Sequence, residues 1–422
     1  MLIWGFTSVH ISRAATYVVT NADDAGAGSL RQAIIDSNAS VGVPDTIQFS
    51  IDTGTQMISL LTPLPDITDP VVIDGTTQPG YSGSPLIILE GTSAGAGANG
   101  LVITGGSTIN SLIIGNFAGA GIQISGTGSV VTGSYIGTDG VNAQPNGIGV
   151  EILGSDNRIG GTVGGSGNLI INNTGPGVLV DDGGLPGAAV NNAILGNTIF
   201  GNGGLGIDLS PAGATPNDAG DTDDGPNNLQ NFPVITTATP GGVTGTLASA
   251  PGTTYRIEFY RNSACDPSTY GEGENYLDSL NVTTDGAGDA SFSISTLPLI
   301  AGDFLTVTAT GSNDDTSEFS ECVEVVDAPI YLSDPLPAPD PGSLLTIFTP
   351  ESVPASAIIE VSNPGTAPLD ISQVTLDNLV DFSLLSAASF SVPAGGGPVA
   401  IEIQCDADTG PGLFSTGVTV EH

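Results

Sequence analysis

"GIQI" (121–124), "GVEI" (149–152), "GVLV" (177–180) and "GIDL" (206–209) repeat one phrase: a glycine, a β-branched residue, a variable residue and an aliphatic one. The phrases begin 28, 28 and 29 residues apart. A strand-like phrase returning at a fixed interval of about 20–50 residues marks a solenoid. Each phrase is followed by further short apolar beats, "SVVTGSYIG" (129–137), "NRIGGT" and "NLIINN" (157–173), and "NAILGNTIFGN" (192–202). Two or three short strands per repeat, punctuated by Gly and Asn, describe one coil of a parallel β-helix, with strands stacked about 4.8 Å apart. Strand alternation sends Ile122/Ile124, Val150/Ile152, Val178/Val180 and Ile207/Leu209 inward as stacked columns, with Val150 and Val178 as vertical neighbours. The opening glycines fit a corner that needs positive φ or close backbone approach. Asn173, Asn197 and Asn202 are expected in left-handed corners with stacked amides. "GLVI" at Gly100, 21 residues upstream of Gly121, belongs to a shorter coil.

An open stack end invites aggregation. "TYVVTNADDAGAGSLRQAIIDSN" (16–38) supplies a cap: a strand, an acidic Gly-rich turn and a short helix. Ser29 with Gln32 is a capping-box pattern, and Leu30, Ala33 and Ile34 share one helical face. Coils then run from "TIQFSI" (46–51) to Leu209.

These stretches, together with "LPDITDPVVIDGTTQPG" (64–80), "NGIGVEILGSDNRIGG" (146–161) and "TPNDAGDTDDGPNNLQNFPV" (215–234), resemble the bacterial CSLREA-type right-handed parallel β-helix proteins. Gly28 stands where the family signature has a cysteine. The segment that opens with "YRIEFYRNSACDPS" and closes with "SEFSECV" (255–323) resembles the β-sandwich that commonly succeeds such a helix. The resemblance implies an extracellular or cell-surface protein and assigns no activity.

After the helix, alternation in "TYRIEFY", "SLNVTT", "ASFSIS" and "FLTVTAT" reads as an immunoglobulin-like sandwich, with a hairpin at Asp285-Gly286. Cys265 and Cys322 fall in this segment; a bridge between them closes 57 residues, worth roughly 4 kcal/mol on the chain-entropy model. Two buried thiols are the alternative. "APIYLSDPLPAPDPG" (328–342) is a proline-stiffened linker. The last segment alternates again and resembles the HYDIN-like or choice-of-anchor-D modules of bacterial surface proteins; Cys405 lies there.

The expected architecture is therefore all-β. It comprises a signal remnant or donated strand (1–15), an N-terminal helix cap (16–45), a right-handed parallel β-helix (46–209) and an acidic loop (210–232). An immunoglobulin-like domain (233–327), the linker (328–342) and a second immunoglobulin-like domain (343–422) complete it.

The 422 residues carry 44 acidic side chains against 5 basic ones, a formal charge of −39. Such a surface repels nucleic acid, anionic lipid and polyuronates and either attracts divalent cations or tolerates high salt; solubility alone is the alternative. No apolar run of about 20 residues suits a membrane span. Asp218, Asp221, Asp223, Asp224 and Asn227 form the strongest chemical constellation. Carboxylates at alternate positions before a glycine converge oxygens on a hard cation, so calcium is the expected cofactor; the alternative is a solvated acidic loop. Asp23 and Asp24, and Asp181-Asp182, read as turn residues. The two histidines, His10 and His422, lie at the ends of the chain, and the helix body has one arginine, Arg158, and no lysine, which argues against triads and uronate lyases. Glu151 and Asp208 share the outward slot of the repeat two coils apart, with Leu179 between them. At roughly 9.6 Å they sit at the outer limit for an inverting glycosidase pair, about 6.5–9.5 Å. No catalytic residue is assigned. The expected function is a secreted structural or adhesive cell-surface protein. It partners itself or other surface components, in its sharpest form as the subunit of an extracellular fibre assembled by β-strand addition. The alternatives are a polysaccharide-binding module and a glycosidase of neutral polysaccharide.

Overall fold

The computed structural model describes residues 13–185, 187–326, 355–361, 369–379, 382–393, 398–405 and 418–421. The expected linker and most of the 1–15 segment lie outside these residues. The chain forms two compact units, Met1–Val326 and Asp327–His422.

The first unit is a parallel β-helix with three strand-bearing faces. One face stacks Thr16–Val19, Asp45–Phe49, Val71–Asp74, Thr108–Asn110, Val130–Thr132, Arg158–Gly160 and Ala193–Leu195. The second stacks Gln56–Ser59, Ile87–Glu90, Leu112–Gly115, Tyr135–Ile136, Leu169–Ile171 and Thr198–Phe200. The third stacks Leu101–Ile103, Ala120–Ile124, Ile148–Ile152, Val178–Val180 and Ile207–Leu209. The expected columns form: Ile122 aligns with Val150, Val150 with Val178, and Val178 with Ile207. All four are 2% exposed or less, so each coil adds a layer of aliphatic side chains removed from water, at about 25 cal/mol per Å².

The repeated glycines serve close approach alone, since none of the four has positive φ. A Cβ at Gly149 would lie 2.3 Å from the carbonyl oxygen of Gly177, and one at Gly177 2.7 Å from that of Gly206. The asparagines also differ from expectation. The left-handed residues are the ones just before the stacked amides: Asn172 (φ 62°), Gly196 (φ 59°) and Gly201 (φ 65°). That twist turns the next side chain inward, where it replaces a backbone rung. At one corner Phe117, Asn146 and Asn173 donate their N–H groups to the Oδ1 atoms of Asn146, Asn173 and Asn202 in turn, at 3.1–3.2 Å. The amide groups also chain, Asn146 Nδ2 to Asn173 Oδ1 and Asn173 Nδ2 to Asn202 Oδ1, both at 3.0 Å. A second corner runs Ser134, Asn168, Asn197, and a third runs Ser107, Ser129, Asn157, Asn192 and Asn227.

Coil length varies without disturbing this register. The extra residues emerge as loops whose tips are Val141, Val163 and Leu185, at 90%, 75% and 68% exposure.

At the N-terminal end a helix, Leu30–Asn38, lies over the tube and buries Leu30, Ala33, Ile34 and Ser37. The Ser29 hydroxyl accepts from the Gln32 N–H, the forward half of the capping box. The reciprocal half does not form, because the Ser29 N–H is taken by the Gly26 carbonyl and Gln32 Nε2 donates to Asp36. Asp24 is more than a turn residue: it accepts from Arg31 at 2.7 Å and from the Leu61 N–H, tying turn, helix and second coil together.

At the C-terminal end the tube meets two antiparallel sheets. One contains Val234–Thr239, Gly242–Ala248 and Asp289–Ile294; the other contains Asn275–Thr283, Thr254–Asn262, Phe304–Gly311 and Val323–Glu324. Val243, Leu247, Ile257, Phe259, Phe292, Leu305 and Val307 pack between them. The turn at Asp285-Gly286 is not a hairpin: the strands on either side belong to different sheets, and the turn carries the chain across the sandwich. Cys265 and Cys322 are disulfide-bonded.

The second unit is antiparallel. Ala355–Val361 and Phe382–Leu384 flank Val399–Cys405, and Gln373–Leu376 pairs with Val418–Glu421. Ile371, Val374, Phe382, Ile401 and Ile403 form its core. The Cys405 side chain lies outside the described residues.

Asn173→Ala leaves the Asn146 N–H and the Ile136 carbonyl without this partner inside the tube. Urea denaturation of the first unit is expected to show a loss of about 2–4 kcal/mol; a change below about 0.5 kcal/mol would mean that the ladder does not carry the corner.

Candidate functional site

The acidic loop brings Asp218, Asp221 and Asp223 together, with carboxylate oxygens within 4.8 Å of one another. Each is positioned locally. Asp218 accepts from the Thr222 N–H and hydroxyl, and its own N–H donates to Asn231. Asp221, in a left-handed conformation (φ 54°), accepts from the Asn231 N–H at 2.9 Å and from the Ser249 hydroxyl. With its proton on Asp221, the Ser249 hydroxyl accepts from the buried Tyr255 hydroxyl at 2.7 Å. Among the described residues, Asp223 keeps one buried oxygen, Oδ1, without a hydrogen-bond partner. Burial, and then the neighbouring carboxylates, raises the pKa of both Asp221 and Asp223. Three all-oxygen ligands under mutual repulsion make a donor set for a hard cation.

Two of the five sequence-selected residues stand apart. Asp224 is exposed and outside the cluster. Asn227 is fully buried as the last rung of an asparagine corner: Oδ1 accepts from the Asn192 N–H at 3.0 Å, and Nδ2 donates to the Asn192 and Thr316 carbonyls. Its amide is consumed inside the protein, so it is not a ligand of the cluster.

Glu151 and Asp208 do not face an open cleft together. They occupy the same row with Leu179 between them. Glu151 accepts from Gln123 at 2.6 Å. Asp208, by contrast, is only 4% exposed, because the sandwich covers the last coil.

That covering is the feature the sequence did not disclose. The last coil has no successor to receive its N–H groups, and side chains from beyond the tube receive them instead. Glu272 accepts from Gly201 (2.8 Å) and Asn202 (3.1 Å), and Glu318 accepts from Leu209 (2.9 Å) and Thr215 (2.8 Å). Glu258 accepts from Gly196 (2.9 Å), Asp315 from Asn191 (2.5 Å) and Thr316 from Ile194 (2.9 Å). Glu258 is held in turn by Arg256 at 2.8 Å and by the Tyr260 hydroxyl at 2.7 Å. The one legible signal was a buried glutamate inside the alternating "TYRIEFY" strand.

Burial raises the pKa of Glu272, Asp315 and Asp208, and pushes Glu318 from 4.5 to about 7, with the Asp208 charge adding to the effect of burial. Beside this joint, Phe200, Cys265, Asp266, Glu272 and Glu274 line an open cavity of about 340 Å³.

No family model matches this sequence, and no curated protein does. Among solved structures, tailspike protein 2 of Escherichia coli O157:H7 bacteriophage CAB120 is similar over 75% of this chain at 12% identity, with a TM-score of 0.16. This chain spans 64% of the tailspike's length. A likeness that slight carries no argument about activity. No helix among the described residues is long and apolar enough to cross a membrane.

The raised carboxylates set a pH dependence. Unfolded Glu318 titrates near 4.5 and folded Glu318 near 7, so between those values the folded chain holds the extra proton. Its contribution is fully favourable below the lower value and is lost as pH rises through the upper one. The urea midpoint of the first unit is expected to be higher at about pH 6 than at about pH 8, and Glu318→Gln to shrink the difference. A midpoint that rises with pH would contradict this.

Proposed function

We propose that this chain is a secreted structural or adhesive component of a cell surface, with a rigid first unit, rather than a catalyst. The observation that carries the reading is the joint: the sandwich supplies the hydrogen-bond acceptors of the last coil, so tube and sandwich form one stiff body. The CSLREA-type resemblance and the acidic, lysine-free composition support export to a surface. Immunoglobulin-like modules in such a chain space and anchor the rod.

Self-assembly is the finer form of this reading. Coil-on-coil stacking is blocked where the sandwich covers the tube, so growth uses strand addition. Among the described residues the Thr16–Val19 strand is hydrogen-bonded to a neighbouring strand on one side only, and its other edge offers backbone groups to a second copy. Polysaccharide binding is a second reading, favoured by the cavity that sets the Phe200 ring among Asp266, Glu272 and Glu274.

Electron microscopy of the purified chain is expected to show rods joining into filaments, abolished by deleting residues 1–15. Monomers at every concentration would overturn assembly, and release of reducing ends from neutral polysaccharides would overturn the non-catalytic reading.

Asp218, Asp221 and Asp223 are assigned to calcium, which relieves their repulsion and ties the loop to Asn231 and Ser249. Calcium at a hundredfold its Kd stabilises by about 2.7 kcal/mol, so a chelator is expected to lower the Tm by a few degrees. Asp221→Asn combined with Asp223→Asn is expected to cost one bound calcium ion, counted by equilibrium dialysis; an unchanged count would remove the assignment.

A further inference from the structure

The corner formed by Ser107, Ser129, Asn157, Asn192 and Asn227 has an odd member at its N-terminal end. Asp45 occupies the corresponding position in register, since Asp45 aligns with Val71 and Val71 precedes the Val72–Thr108 pair. It accepts the Ala15 N–H through Oδ1 at 2.7 Å, as each rung accepts the N–H of the coil before it. The next atom breaks the pattern. Where Asn157 turns an amide group toward the Gly126 carbonyl, Asp45 presents a second oxygen, Oδ2. Asp45 is 0% exposed, and this oxygen has no hydrogen-bond partner among the described residues.

Two more buried oxygens share its situation. Asp69, 6% exposed, accepts the Gly42 N–H through Oδ1 and leaves Oδ2 unpartnered among the described residues. Ser37, 1% exposed on the buried face of the cap helix, leaves Oγ unpartnered among the described residues. Hydrogen bonds of these residues and their chain neighbours link the three segments that carry them. Asn38, next to Ser37, accepts from the Thr68 and Asp69 N–H groups. Gly42 reaches Asp69, and the Asp45 N–H donates to the carbonyl of Pro70, the residue after Asp69. Among the described residues, no arginine pairs with either carboxylate: Arg31 is committed to Asp24 and to the Thr62 and Pro63 carbonyls.

Two carboxylates removed from water without a counter-charge are strongly unfavourable. We propose that Ser37, Asp45 and Asp69 hold a hard divalent cation, calcium by charge and donor type, buried between the cap helix and the first coils. The ion neutralises both carboxylates, accepts an all-oxygen set of side chains and pins the helix to the open end of the tube. This site is separate from the Asp218–Asp223 loop and stands independently of the function proposed above.

Tyrosine-sensitised terbium emission distinguishes the two sites. Tyr17 pairs with Ile47, two residues from Asp45, whereas Tyr255 is bonded through Ser249 to Asp221. The full chain, its disulfide intact, is unfolded in chelator and refolded with terbium. Tyr17→Phe is expected to abolish one component of the emission and Tyr255→Phe the other. Asp45→Asn with Asp69→Asn installs the amides that the ladder uses elsewhere; it is expected to reduce the Tyr17 component at least about tenfold while the Tyr255 component persists. In parallel refolding with calcium, the same pair of substitutions should cost one bound ion. Full Tyr17-dependent emission in the doubly substituted chain, or none in the wild type, would overturn the site. Should the doubly substituted chain fail to fold, the Tyr17→Phe comparison on the otherwise native chain still decides.

Discussion

A parallel coil cannot satisfy its own backbone. Each strand turns N–H and carbonyl groups of alternate residues toward the coil before and the coil after, so any finite stack ends on a layer of groups that water would reach only by unroofing the core. Leaving one such group buried and unpaired costs about 1–3 kcal/mol. Six N–H groups of the last coil, from Asn191, Ile194, Gly196, Gly201, Asn202 and Leu209, are received by side chains of the sandwich. The asparagine corners are the same solution applied inside the stack, where the backbone turns and cannot pair with itself. Asn227 and Glu272 then act as terminal rungs, closing two of the corners from outside the tube.

Using carboxylates as terminal acceptors has an electrostatic cost. A glutamate makes two strong bonds to neighbouring N–H groups, but it must leave water to do so. Glu318 meets Asp208 beneath the covering segment, and both are raised by burial in a chain already carrying a net −39. Glu258 is treated differently: Arg256 and Tyr260 both hold it. The joint therefore combines one compensated acid with several that hold their protons more tightly than free side chains do.

The coils were readable because an aliphatic residue at Val150 has one outcome wherever it recurs: it goes inside and sits under Val178. The asparagines were readable in kind, while the left-handed twist was misplaced by one residue, because amide and turn are separate jobs held by neighbouring positions such as Asn172 and Asn173. What failed depended on contacts between distant segments. Asp208 occupies the outward slot of its repeat, yet it is buried because the last coil alone is covered. Asn227 looked like a loop ligand because nothing local says that it reaches Asn192. Asp285-Gly286 encodes a turn, and a turn does not specify which sheet the next strand will join.

The loops tipped by Val141, Val163 and Leu185 show how such a scaffold changes. Ile122 to Val131 and Val150 to Ile159 are each 9 residues, whereas Val178 to Ile194 is 16; Val131 to Ile136 is 5, whereas Ile159 to Ile170 is 11. Every added stretch leaves the tube at a corner and returns to the same rung, so the columns beneath do not register that it is there. Outer decoration and inner stacking are thus uncoupled in this chain. New recognition chemistry can be grafted at any of these three corners, on different sides of the rod, with the interior left untouched.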